Sequence, residues 1–248
     1  MKKLVLPFSI LLFLLLAWAA EDLPQWGGVH TPASDYLSPH YITRSLEDTA
    51  VPNLVTSLLA DYRGYDTLFE TTVIFCAGIT VLTLLRRTHR RLPKQVGARP
   101  GRQGADVILQ SASRLLVPLM QLFALYVLAL GHHSPGGGFQ AGVILGASFI
   151  LLALSYDLGM VLQRLWEQLV LRMAAIGVLI YAGIGLLCLL LGGDFLSYGQ
   201  LSVFGFSESM AHSHAILGVE IGVAITVMAI MFSLYVDLAS GGDLDEGL

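Results

Sequence analysis

The sequence predicts an all-α integral membrane protein with about six transmembrane helices, or five if residues 1–20 are cleaved, and both termini in the cytoplasm. Three observations carry that reading. The 248 residues are 55% hydrophobic and only 13% charged, whereas soluble domains carry about 25% charged residues. The apolar residues fall in long runs near the roughly 20 residues needed to cross a hydrocarbon core of about 30 Å. The basic residues are unevenly placed: RRTHRRLPKQVGARPGR (86–102) holds seven of the fourteen, and such a stretch belongs on the cytoplasmic side.

The elements follow in chain order. Spans are expected at about 4–20, 67–86, 109–130, 138–157, 171–191 and 215–236. With 86–102 inside, six spans put Lys2, Lys3, Arg114, Arg164 and Arg172 on or near the same side, leaving only Arg44 and Arg63 outside. The first run has two readings. MKK, an apolar core and Ala17-Trp18-Ala19 describe a cleavable signal peptide as well as a retained span. Residues 21–60, with Pro24, Pro32 and Pro39, read as an external loop, within which VPNLVTSLLADYRG (51–64) suits a short interfacial helix ending at Gly64. LPKQVGARPGRQGAD (92–106) reads as a basic cytoplasmic linker between a two-span module, 1–91, and a four-span domain, 107–248. An amphipathic connector, QRLWEQLVLR (163–172), follows Asp157.

Several motifs suggest chemistry and are weighed against plainer roles. In GHHSPGGGFQAGVILG (131–146), no strand precedes the glycines and no Lys-Ser/Thr follows them, so a phosphate-binding loop is excluded. Pro135, Gly136 and Gly137 instead suit a helix entrance. Gly138, Gly142 and Gly146 recur every four residues, a spacing that lets two membrane helices approach closely. His132 and His133 would point about 100° apart on a helix, and His212 and His214 lack the spacing of helical metal ligands. No carboxylate or cysteine joins them, so no metal is expected, and these histidines read as loop residues able to relay protons at an external mouth. Cys76 and Cys188 both lie in apolar runs, which argues against a disulfide framework.

Glu220 is an acid within the last span, where charge is costly and faces other protein. Gly218 and Gly222 each lie two positions away, about 200° around the helix, so the glycines face one neighbour and Glu220 the opposite one. Thr67-Leu-Phe-Glu70 fits a capping box at the start of the second span, with Asp66 just ahead and available to Arg63. An intramembrane serine protease, with Ser148 and His214 as its pair, fails on depth: the serine lies about 15 Å into its span and the histidine at the mouth of another.

DYRGYDTLFE (61–70), leading into an apolar span, resembles the C-terminal segment of the large subunit of Mrp-type cation/proton antiporters, a module that also occurs as a small subunit of membrane-bound hydrogenases. Residues 108–157 resemble the B subunit of Mrp antiporters, most specifically at PGGGFQAG, where Pro135, Gly136, Gly137, Gly138 and Phe139 form the motif. The two likenesses cover nearly all the spans, so the chain resembles a fusion of both modules. The resemblance implies a non-catalytic subunit without cofactors, in the inner membrane of a prokaryote. Its partners would be the larger subunits that house the main channels, together with lipid, and Na⁺ and H⁺ as transported ions. Glu70 is implied to lie near a lateral ion path. No lysine occurs within the spans, so the chain is expected to complete or seal an ion route with Glu220, Glu70, Asp66, His132 and His133 as its candidates. The same spans would also serve a redox-driven complex or a purely structural spacer, and the composition offers nothing for nucleic acid.

Overall fold

A computed structural model describes residues 2–24, 27–89, 107–156, 161 and 167–240. The chain divides into two compact units, Met1–Thr43 and Arg44–Leu248. The first unit holds α1 (Lys2–Ala19), a short 3-10 turn at Ala20–Asp22 and a π-helical turn at Ala33–Leu37. Helix α2 (Ser38–Thr49) runs across the boundary. Every described element is helical, in keeping with the expected all-α class.

The segment 21–60, where an external loop with a short helix is expected, is largely helical over its described residues. Its prolines are compatible with that. Pro32 sits at the N-cap of its turn and Pro39 in the first turn of α2, where the missing N–H has no helical partner to lose. Helix α3 (Leu54–Ser57) is capped by Asn53, whose Oδ1 accepts from the backbone N–H groups of Val55 (3.1 Å) and Thr56 (3.5 Å). It continues as a π-helical turn over Leu58–Tyr62.

Five helices among the described residues are long and apolar enough to cross a membrane. The first is the apolar part, Gly64–Leu85, of α4 (Gly64–His89). Helix α4 starts at Gly64, so the expected capping box at Thr67 does not form: the Thr67 hydroxyl donates to the Leu59 carbonyl at 2.7 Å, and Glu70 lies on an exposed face more than a turn inside. Gly64 opens this helix and does not close the preceding one, and two buried tyrosines crowd it. Their hydroxyls lie 3.6 Å (Tyr198) and 3.7 Å (Tyr181) from where a Cβ would be.

The other spans are α5 (Val107–Ala129), α6 (Gly138–Tyr156), α7 (Glu167–Leu190) and α8 (Glu208–Ser240). The linker 92–106, Asp157 and part of the connector 163–172 lie outside the described residues. Helix α8 begins seven residues earlier than its apolar run, because Ser207 starts it: the Ser207 carbonyl accepts from Ala211 N–H at 2.9 Å, after a left-handed Gly205 (φ +95°) has reversed the chain. His212 and His214 are therefore helical residues, and Glu220 lies twelve residues from the start of α8.

Helix α8 is the centre of the second unit, with α4, α6 and α7 packed around it. Its buried side chains, including Val219, Val223, Val227, Ala229, Ile230 and Phe232, meet partners on all three. Lipid tails are as apolar as Leu, so close packing between helices must supply the cohesion. The approaches are accordingly tight. A Cβ at Gly142 would lie 2.7 Å from the Ala224 carbonyl oxygen, one at Gly177 2.3 Å from that of Gly222, and one at Gly78 2.6 Å from Ile230.

Candidate functional site

The acid in α8 and the glycine run before α6 meet. Glu220 is 7% exposed, and its carboxylate lies inside the turn 131–138. A Cβ at Gly137 would sit 2.7 Å from its Oε1 and one at Gly131 3.2 Å from its Oε2. Gly138 lies against the Glu220 backbone itself, 2.1 Å from a would-be Cβ to the carbonyl oxygen. The Gly138 N–H donates to the carboxylate. That N–H opens α6, which has no acidic residue in its own first turn, so an acid from α8 supplies the negative charge favoured at the helix N-terminus. The other oxygen, Oε2, has no hydrogen-bond partner among the described residues.

The turn is held from the N-terminal half of the chain. Asn53 Nδ2 donates to the carbonyls of Gly131 and Ser134, each at 2.8 Å, and Asn53 N–H donates to that of His132 at 2.8 Å. The Thr56 hydroxyl adds a bond to Gly131 O at 2.9 Å. Asn53 thus caps α3 with its oxygen and clasps the glycine turn with its nitrogens.

A second polar cluster lies at the same end of the bundle. His212 Nδ1 pairs with Asp61, and Tyr198 lies edge-on to the imidazole at 5.9 Å between centroids. Tyr198 donates to Ala60 O at 3.0 Å and Tyr181 to Gly64 O at 2.8 Å. Burial raises the Tyr198 phenol far above its ordinary range, so it stays a neutral donor. His132 sits half-buried beside the exposed His133, and its pKa is lowered, first by burial and then by His133 and His214. His214 is engaged elsewhere: it stacks on Phe206 at 4.7 Å and its Nδ1 donates to Met210 O at 2.6 Å. No group of three metal-ligating side chains occurs among the described residues.

The remaining candidates are dispersed. Asp66 pairs with Arg63 at the start of α4. Glu70 lies on that helix's exposed face, apart from Glu220. Pro135 and Phe139 are exposed, and Gly136 abuts the Val127 carbonyl of α5 (2.8 Å from a would-be Cβ). Gly146 faces Met228 and Met231 of α8. Gly218 and Gly222 both face α7, at Ile184 and at Gly177, on the side of α8 away from the glycine turn. Ser148, the rejected nucleophile, donates to Leu145 O at 2.7 Å. Sequence reasoning missed Asn53, Asp61 and Gly177. An asparagine before an apolar run is an N-cap signal, but its second task has no local signature.

Two family models match the chain in succession. Residues 20–103 match one described as the E subunit of MBH. Residues 108–233 match the domain related to the MnhB subunit of Na⁺/H⁺ antiporter, which is just over half of the 248 residues. The chain belongs to the MnhB-related family. The expected likeness to a B-type antiporter protein joined to an E-type module is thereby borne out.

Relatives of this family fall into two sizes. The B subunit of the Na⁺/H⁺ antiporter of Bacillus subtilis (strain 168) is 35% identical over 130 residues, 50% of this chain and 90% of that protein. The probable A/B subunit of a K⁺/H⁺ antiporter of Rhizobium meliloti (strain 1021) is 28% identical over 196 residues, 70% of this chain, but the chain spans only 20% of its length. Among solved structures, a chain of the Mrp complex from Dietzia sp. DQ12-45-1b shares the fold (TM-score 0.61, 24% identity), with 94% of this chain and 25% of that chain covered. A chain of the archaeal membrane-bound sulfane sulfur reductase, a respiratory membrane complex, matches over 93% of this chain and 98% of its own (TM-score 0.60, 27% identity).

Proposed function

We propose that the chain is a non-catalytic membrane subunit of a multisubunit cation/proton antiporter and helps to form or seal the ion route. One observation carries the reading: the family's glycine turn encloses a buried carboxylate, Glu220, with one oxygen free. A buried membrane acid is costly, and ion paths are where such acids are retained. Relatives named as Na⁺/H⁺ and K⁺/H⁺ antiporter subunits support the antiport class. Glu220 is the principal group of the route, with His132 and His133 toward its mouth, and Asp66 and Glu70, on α4 and apart from it, are candidates for a lateral path. Gly138, Gly142, Gly146, Gly218 and Gly222 hold the helices that carry it. The partners are the larger antiporter-like subunits and the bilayer, with Na⁺ and H⁺ as the transported ions. The chain lies in the inner membrane of a prokaryote, with α1 retained as an additional span, both termini and the junction 92–106 in the cytoplasm, and the glycine turn outside. The succession of the two family matches near residue 103 supports the fusion.

The test is Glu220→Gln in the assembled complex, assayed for coupled antiport in everted vesicles. Loss of Na⁺- or K⁺-driven proton movement is expected; normal flux would retire the idea in favour of a structural spacer. A spacer would also leave Glu70 variants silent. The near-complete match to one chain of a respiratory complex favours a second reading, an ion-path subunit of a redox-driven assembly. Mass spectrometry of co-purified partners separates the two, since iron–sulfur subunits would mark the redox class.

A further inference from the structure

We propose that Glu220 takes up a proton and is closed to alkali cations, because four carbonyl oxygens of the turn that walls it are already held in hydrogen bonds. This rests on the reading of Glu220 as part of the ion route and names the ion that it handles.

A dehydrated Na⁺ or K⁺ needs several oxygens, which membrane proteins supply as backbone carbonyls of filters and unwound helices. The turn 131–138 is unwound backbone of that kind, and Glu220 would add a carboxylate. Four of its carbonyls, however, already accept hydrogen bonds. Gly131 O accepts from both Asn53 Nδ2 (2.8 Å) and Thr56 Oγ1 (2.9 Å), which uses both of its lone pairs. His132 O accepts from Asn53 N–H (2.8 Å), Ser134 O from Asn53 Nδ2 (2.8 Å) and Gly137 O from Ala141 N–H (3.1 Å). One carboxylate oxygen is left. It faces the backbone of Gly131 and Gly137.

A proton needs one lone pair and no shell. Its addition to Oε2 turns the carboxylate into a neutral carboxylic acid and removes the charge that the bilayer penalises, while the Gly138 N–H still donates to the group. Glu220 has no ion-pair partner among the described residues. Of the titratable groups on the neighbouring elements, Asp61 pairs with His212 and Tyr181 donates to Gly64 O, while His132, half-buried with its Nε2 unpartnered among the described residues, stands beside His133 and His214. Asn53 is then a positioning residue, which keeps alkali cations out by holding the carbonyls in hydrogen bonds.

The test uses the intact wild-type complex and N,N′-dicyclohexylcarbodiimide, which adds to protonated carboxyl groups in apolar surroundings. Labelling of the Glu220 peptide is followed by mass spectrometry against pH, in choline chloride, NaCl or KCl. Labelling should fall as pH rises, by about tenfold per unit above the group's midpoint, and change less than about twofold with either alkali salt. Protection by Na⁺ or K⁺ beyond about twofold, or no labelling at any pH, overturns the proposal. The two readings fail separately. Salt-protected labelling together with inactive Glu220→Gln keeps Glu220 in the route and removes the proton assignment. Proton-only labelling with normal antiport in Glu220→Gln removes it from the route.

Discussion

At Gly137 two constraints coincide: a φ of +130°, which L side chains rarely adopt, and a neighbouring carboxylate 2.7 Å from any Cβ. Gly137→Ala should therefore destabilise the complex by about 1–3 kcal/mol, read as a lower melting midpoint. Gly183→Ala, with nothing within 4 Å of its Cβ on α7, should be neutral or slightly stabilising. Asn53→Ala removes four donated or accepted bonds across two ends of the chain and should cost about 1–3 kcal/mol through the carbonyls it strands. His132 gives a pH dependence. Burial lowers its pKa from the ordinary 6.5, so the unfolded chain binds the extra proton more readily than the folded one. Stability contributed by the neutral form is present above that ordinary value and is lost as pH falls below it. His132→Gln should flatten the acid side of a melting profile taken between about pH 5 and about pH 7.5. These roles differ in how legible they were. Glu220 and the glycines were visible as separate anomalies, an acid in an apolar run and a glycine triplet, whereas no local pattern says that residue 220 reaches residue 137.

Among the elements, α8 is the one whose surroundings matter most. Its glycine pair faces α7 and its acid faces the entrance of α6, so it is packed on opposite sides. Gly222→Leu should drive α7 away, since even a Cβ meets the Gly177 carbonyl oxygen at 2.6 Å, and Gly138→Leu should unseat α6 from the Glu220 backbone. Both are expected to abolish assembly, detected as loss of co-purifying subunits, with Gly183→Leu as the tolerated control. The period-four glycines made the α6 seam readable, while Gly177 had no such companion on α7. The start of α8 was misplaced because hydropathy marks where a helix becomes apolar, and caps mark where it begins; Ser207 and Gly205 set the start.

For the whole molecule, the basic linker and the compact units tell different stories. A linker is expected at 92–106, yet α4 packs on α7 and α8, and Asn53, Thr56, Tyr181 and Tyr198 bond between residues on either side of that stretch. A protease site placed in the linker should therefore leave the two cut pieces associated through detergent gel filtration; separation on cutting would contradict this. The sequence by itself determined the membrane class, the approximate spans and the family, because hydropathy, charge asymmetry and a short glycine motif are all written locally along the chain. Only the tertiary structure decided that the helix entrance and the buried acid form one site and that Asn53 clasps it. Those contacts join residues more than 75 positions apart, and which pairs meet depends on how helices with small residues on several faces choose among neighbours.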